Sequence, residues 1–137
     1  MKPKQPYIQE GYELMGAAFA VHDETGGGLA EEIYQESLQF ELELRGIPYQ
    51  SKQEIAVFYK GRELKRRYIP DLYVHGGMVV ELKAVTKLLP EHCAQLLNYM
   101  RLTKKPVGYL INFAPLEGVE YKRLVLTGRD EPLTDTN

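Results

Sequence analysis

The sequence predicts an α/β fold with its elements in the order α-α-β-β-β-α-β-β. Two stretches of helical apolar spacing open the chain, a β texture runs from Gln53 to Lys83, and a proline-led helix then precedes a strongly apolar strand.

Residues 10 to 23, EGYELMGAAFAVHD, carry Leu14, Ala17, Ala18 and Val21 at helical spacing, and the glycines of TGGGL stop the pattern. A second helix is expected from near Ala30 to Arg45. Ala30, Ile33, Tyr34, Leu38 and Leu44 would mark its inner side, with Gly46 in the C′ position that favours a left-handed residue. Pro48 forces extended chain. QEIAVFY, a turn at Lys60-Gly61, RELKRRYI running on to Asp71 to Val74, a glycine turn and Met78 to Lys83 then read as three antiparallel strands in succession. Pro90 opens the helix PEHCAQLLNYMRLT, striped by Cys93, Leu96, Leu97 and Met100, and VGYLINF is apolar enough for a central strand. A last strand, YKRLVL, precedes a polar tail at 127–137. Without repeats or a long linker, residues 1–137 read as one domain with its core at about 8–126.

A chain of 137 residues can bury a core without disulfides or structural metal. With 44% hydrophobic and 26% charged residues, disordered and fibrous classes are excluded. The single cysteine, Cys93, has no partner in the chain and reads as a core residue in a reducing compartment. No segment approaches the roughly 20 apolar residues of a membrane span, and MKPKQPYIQEGYE lacks the apolar region of a secretory signal, so a cytoplasmic protein is expected. His22, His75 and His92 have no spacing that builds a zinc site with Cys93, and GGG lacks the Lys-Ser/Thr of a phosphate-binding loop. The net charge of −2 draws no polyanion globally. Nucleic-acid contact would rest on KGRELKRR, where Lys60, Arg62, Lys65, Arg66 and Arg67 suit either phosphate binding or a solvated turn.

The stretch IPDLYVHGGMVVELK, residues 69 to 83, carries the chemistry. Glu81 and Lys83 must share a strand face. With a two-residue turn at Gly76-Gly77, Asp71 would lie opposite Leu82 and face away from Glu81. A three-residue loop, His75-Gly76-Gly77, instead pairs Val74 with Met78 and sets Asp71 across from Glu81. Only that register gathers Leu72, Val74, Met78, Val80 and Leu82 on one face, with Asp71, Tyr73, Glu81 and Lys83 on the other. Glycine at the last loop position also suits a left-handed residue. The polar face would serve as the wet side of an amphipathic hairpin. If it is covered, two opposed carboxylates at roughly 4 Å repel by about 4 kcal/mol and need compensation. Lys83 supplies one positive charge, and a divalent cation held by both acids would supply the rest.

Pro70-Asp71 followed by Glu81-Leu82-Lys83 resembles the P-D…(D/E)-x-K pattern of the restriction-endonuclease-like nuclease superfamily, as does the order of elements. In GLAEEIY, Gly28, Glu31 and Tyr34 are similar to the motif that names the GxxExxY protein family, and VELKAV, AQLLNYMRLT and VGYLINF match further. The resemblance covers about residues 8 to 126. It implies a three-layer core around a mixed central sheet, Asp71 and Glu81 as metal ligands, and Lys83 polarising the attacking water or the scissile phosphate. It implies Glu31 as a third acid, although a carboxylate in the first turn of a helix also suits the dipole. Gln95 and Tyr99 have the Q-x-x-x-Y spacing that lies beside the site in the exonuclease-like branch, on one helical face. Taken alone, Gly28 would be a helix-entry glycine, Tyr34 and Tyr99 core-edge aromatics, and Gln95 a surface residue.

Phosphodiester hydrolysis needs a nucleophilic water, a stabilised phosphorane and help for the leaving oxygen. Asp71 and Glu81, with the Leu82 carbonyl and Glu31, form an oxygen set suited to Mg²⁺ or Mn²⁺. A divalent-metal-dependent nuclease is therefore the leading expectation. Its alternative is a non-catalytic module that keeps the fold to bind nucleic acid or protein. The apolar strand YLINF and the many tyrosines also leave room for a homo-oligomer.

Overall fold

The computed structural model describes residues 6–126 and 132–136. Its elements are α1 (Ile8–Thr25), α2 (Glu31–Leu44), β1 (Tyr49–Ser51), β2 (Ile55–Tyr59), β3 (Arg62–Tyr68), β4 (Leu72–Val74), β5 (Met78–Lys83), α3 (Pro90–Thr103), β6 (Val107–Asn112), β7 (Glu120–Leu126) and β8 (Pro132–Thr136). Six strands form one sheet in the order β1-β4-β5-β6-β7-β8, and only the β5–β6 pairing is parallel. The fold is thus α/β around a mixed sheet. α3 supplies the crossover that a parallel pair requires.

Alternation along β5 sorts the core into two sides. Met78, Val80 and Leu82 join Leu72, Val74, Tyr109 and Ile111 in a cluster under α1 and α2. Val79 and Leu110 face the other way, onto Leu96 and Met100 of α3 and Ile55, Val57 and Tyr68 of the β2–β3 hairpin. Three layers result, with helices α1 and α2 on one side of the sheet and α3 with the hairpin on the other. No described helix is long and apolar enough to cross a membrane.

The hairpin register is the one the apolar pattern selects: Val74 pairs with Met78, Tyr73 with Val79 and Leu72 with Val80. The turn chemistry differs in detail. The left-handed residues are His75 (φ 55°) and Gly76 (φ 63°), not Gly77. The Gly77 N–H donates to the Val74 carbonyl, closing a turn of the type I′ kind. Gly77 is small for another reason: a Cβ there would collide with the Tyr7 hydroxyl.

Several local expectations are corrected. β2 and β3 form their own two-stranded sheet rather than continuing into β4, which pairs with the short, unpredicted β1. The chain after Leu126 is not all tail, because the backbone of β8 pairs with β7 from Leu126–Pro132 to Lys122–Thr136. On α2 the buried line is Tyr34, Leu38 and Leu42, whereas Ala30, Ile33 and Leu44 are exposed. The helix carries two apolar stripes, one buried and one exposed, which apolar spacing alone runs together. Gly46 does take the left-handed conformation, and the Gly46 and Ile47 N–H groups close a Schellman motif onto Glu43 and Leu42. Cys93 is half-buried at the edge of the α3 cluster rather than in its centre.

Candidate functional site

The site is built where β5 outruns β4. The ladder ends at Leu72–Val80, so Asp71, one step beyond, falls opposite Glu81 in a bend preceded by the buried Pro70. There the Asp71 carboxylate takes over from a missing strand partner. Its Oδ2 accepts the Leu82 N–H at 2.7 Å, while its own main-chain carbonyl accepts Gln35 Nε2 of α2 at 2.9 Å. In a strand the N–H and C=O of one residue point to the same side, so the Leu82 carbonyl also faces the Asp71 edge, away from β6.

Glu81 and Lys83 point to the α3 side. Tyr68, the last residue of β3, donates its hydroxyl to Glu81 Oε1 at 2.6 Å and stacks on Tyr99 of α3, with ring centroids 4.1 Å apart. Burial, and then the Asp71 carboxylate, push the Glu81 carboxyl up to about 7; the Tyr68 hydroxyl, the Lys83 ammonium and the Asp71 main chain hold it from rising further. Burial and the Glu81 charge drive the Tyr68 hydroxyl well above its ordinary range, so it stays a donor. Glu31 is raised as well, by burial first and then by Asp71, with Lys83 opposing. Asp71 and Lys83 therefore act on both glutamates.

Glu81, Lys83, Gln95 and Tyr99 share a cleft of about 230 Å³ with Arg67, Tyr68 and His92. Glu31 and Asp71 line a separate groove of about 480 Å³ with Gln35, Ser51 and Lys52. The six residues singled out in the sequence thus occupy two hollows coupled through charge. Among the described residues, no three His, Cys, Asp or Glu side chains gather into a metal cage as they stand. The donor chemistry still fits a hard divalent cation. Two carboxylates crowd one strand end, a main-chain carbonyl points the same way, and Glu81 is held partly protonated, which a bound cation would reverse.

Gly28 and Tyr34 explain how Glu31 is presented. Gly28 has φ +85°, and the fully buried Tyr34 stacks on Phe113. Its hydroxyl donates to the Gly26 carbonyl at 2.7 Å and accepts the Leu29 N–H at 3.0 Å. Tyr34 is thus a latch for the glycine loop rather than a core-edge aromatic, and Glu31 begins the helix that follows.

Sequence reasoning missed Tyr68, His92 and Asn112. Tyr68 had a signal, being the only aromatic in the charged run RELKRRY immediately before Ile69-Pro70-Asp71. His92 accepts the Leu89 N–H on Nδ1, which leaves Nε2 as the protonated nitrogen of the neutral ring. Asn112 is fully buried and bonds both the N–H and the carbonyl of Val85, clamping the loop between Lys83 and α3.

The basic run forms the exposed β2–β3 hairpin. Its register breaks between Ala56–Arg67 and Phe58–Glu63, two steps on β2 against four on β3, so Leu64, Lys65 and Arg66 bulge outward. Lys60, Arg62, Lys65 and Arg66 are exposed; Arg67 pairs with Glu63 at 2.7 Å. Lys104, outside the run KGRELKRR, lies over the Phe58 ring at 5.2 Å and adds a further cation beside the hairpin. The net charge also hides a segregation. Helices α1 and α2 hold nine of the chain's 19 acids and none of its 17 Lys and Arg.

A family described as the PD-(D/E)XK nuclease superfamily matches residues 8–124. Among solved structures, the crystal structure of SSO0001 is similar with a TM-score of 0.51 and 21% identity, over 85% of this chain and 58% of that one. At that identity the likeness is one of fold, and this chain spans little more than half of the solved protein. None of the curated proteins gives a significant match.

Proposed function

The chain belongs to the PD-(D/E)XK nuclease superfamily, and on that premise we propose that it is a divalent-metal-dependent nuclease hydrolysing the phosphodiester bonds of nucleic acid. The observation that carries the reading is the opposition of Asp71 and Glu81 at the open end of β5, with Lys83 on the Glu81 face and Glu81 raised to about 7. Opposed carboxylates are costly unless a cation offsets them.

Nucleases of this superfamily generally use divalent metals. In our reading Asp71, Glu81 and the Leu82 carbonyl hold Mg²⁺ or Mn²⁺, with Glu31 as a further acid. Such an ion supplies Lewis-acid stabilisation of charge on the phosphorane and lowers the pKa of a water. Lys83 orients the attacking water or neutralises the scissile phosphate. Gln95 and Tyr99, on one face of α3, position a phosphate oxygen in the cleft. Lys60, Arg62, Lys65, Arg66 and, less strongly, Arg67 grip the backbone electrostatically. We further assign the chain to the GxxExxY group on Gly28, Glu31 and Tyr34, as a single cytoplasmic domain.

One observation favours a second reading, a binding module that keeps the fold. Asp71 and Glu81 already accept protein donors, the Leu82 N–H and the Tyr68 hydroxyl. Calorimetric titration of Mn²⁺ and Mg²⁺, paired with cleavage of labelled single- and double-stranded DNA and RNA, separates the two. The nuclease requires one class of metal site, lost in Asp71→Ala, and chelator-sensitive cleavage abolished by Lys83→Ala. Salt-dependent nucleic-acid binding with no cleavage at any metal concentration would leave the binding module.

A further inference from the structure

Helix α2 is apolar on two sides and the fold uses one. Opposite the buried line of Tyr34, Leu38 and Leu42 run Ile33, Phe40 and Leu44, exposed by 48%, 62% and 68%. At helical spacing these three fall within about 40° of one another and span about 16 Å. Beside them α1 contributes Ala20 and Val21, whose small side chains leave a groove of about 740 Å³ between the helices. Glu24, Glu36 and Glu41 rim it, Glu41 being engaged by Arg45 at 2.7 Å.

An apolar stripe of this length flanked by carboxylates is a receptor for a complementary surface. Nucleic acid does not fit, because α1 and α2 carry no Lys or Arg to meet phosphate. The helices of a second copy fit poorly as well: α1 and α2 are acidic throughout, and α3 offers a single Arg101. We propose that the α1–α2 groove docks an amphipathic helix of a protein partner, apolar on one side and flanked by Lys or Arg. Its apolar residues fill the floor beside Phe40 and Leu44, and its basic residues meet Glu24 and Glu36. The contact lies across the sheet from α3 and the basic hairpin, so a partner held there leaves the Glu81 cleft open, while Glu36 is shared with the groove that holds Glu31 and Asp71. The proposal stands independently of whether the cleft is catalytic.

The test uses the whole chain and a fluorescein-labelled synthetic peptide of Leu and Lys with Leu at helical spacing, against a control with Glu in place of every Lys. Fluorescence anisotropy is expected to show salt-sensitive binding of the Leu/Lys peptide alone. Phe40→Ser with Leu44→Ser is expected to weaken it by about tenfold or more, as truncation of central apolar anchors does. Glu24→Lys with Glu36→Lys should do the same, and since all four side chains are at the surface of the groove, circular dichroism should show the fold retained. Equal affinity in the Phe40/Leu44 variant would reduce the effect to diffuse charge attraction and overturn the proposal. So would binding of the Glu control, or a dimer in sedimentation that dissociates on Phe40→Ser, which would make a second copy the occupant.

Discussion

The Tyr68 hydroxyl donates to the Glu81 carboxylate at 2.6 Å while the Tyr68 ring lies 11° from parallel on Tyr99. One side chain therefore ties the basic hairpin, the acidic strand end and α3 together. Replacing it separates the two contacts. Tyr68→Phe keeps the stack and removes a bond that holds the Glu81 carboxyl down. Carbon-detected NMR titration is expected to find Glu81 titrating above the wild-type value of about 7, and stability to fall by about 1 kcal/mol. Tyr68→Ala, which also empties a buried aromatic site, should cost about 3 kcal/mol or more. An unchanged Glu81 titration in Tyr68→Phe would mean the bond does not form in solution.

The raised Glu81 carboxyl makes stability depend on pH with a definite sign. Its ordinary value is 4.5 and its folded value about 7, so between these limits the folded chain binds more protons than the unfolded one. Stability should therefore decline as pH rises through that window, with the penalty fully present above it. Scanning calorimetry with chelator present should show the melting temperature falling from pH 5 to pH 7.5. Glu81→Gln, uncharged throughout, should flatten that fall. Mn²⁺ should oppose it at the upper end, because an ion binds the deprotonated acids and competes with the proton. A wild-type slope equal to that of Glu81→Gln would remove Glu81 as its source.

How much of this was legible from sequence depends on where the information lies. The β4–β5 register was readable because side chains alternate strictly in a strand, so a one-residue slip would have buried Asp71 and exposed Leu72. The α3 boundaries and the left-handed Gly46 were readable from proline and glycine chemistry. Tyr68 stands out in sequence only as the lone aromatic of RELKRRY, and its partners Tyr99 and Glu81 do not show there, because a tyrosine that stacks across a sheet boundary has the same local sequence as one at a strand edge. The two stripes of α2 blurred together because apolar periodicity records which residues are apolar and not which face meets the sheet. Nor does the net charge of −2 disclose that acids collect on α1 and α2 while the hairpin is basic.

That segregation predicts how nucleic acid is gripped. Lys65 and Arg66 sit on the β3 bulge with exposed side chains, whereas Arg67 spends its charge on Glu63 at 2.7 Å. Filter binding over a salt series should give a slope that drops by about one for each of Lys65→Ala and Arg66→Ala, with affinity lost evenly across sequences. Arg67→Ala should matter less. Glu63→Ala, which releases Arg67 and removes a carboxylate, should tighten binding. Slopes untouched by Lys65→Ala and Arg66→Ala together would exclude the hairpin as a phosphate contact.

Asn112 tests whether the loop after Lys83 is held as the hydrogen bonds indicate. It is fully buried at the end of β6, and its amide donates to the Val85 carbonyl at 2.9 Å and to Glu120 Oε1 at 3.0 Å. Its Oδ1 accepts the Val85 N–H at 3.0 Å, and Glu120 in turn accepts the Leu88 N–H at 3.0 Å. Asn112→Ala takes the side-chain partner from both the N–H and the carbonyl of the half-buried Val85 and from Glu120, so a loss of about 1–3 kcal/mol is expected in urea unfolding. Asn112→Asp is the sharper variant. It keeps the acceptor for Val85 N–H but turns the Glu120 contact into an opposition of carboxylates, so it should recover stability at acid pH and lose it as both acids ionise. In either variant hydrogen exchange at Val85 and Leu88 should accelerate more than at β6. Because this loop leads from Lys83 into α3, its release would separate Gln95 and Tyr99 from the acids. Loop amides that stay as protected as in the wild type would show that something other than Asn112 holds the connection.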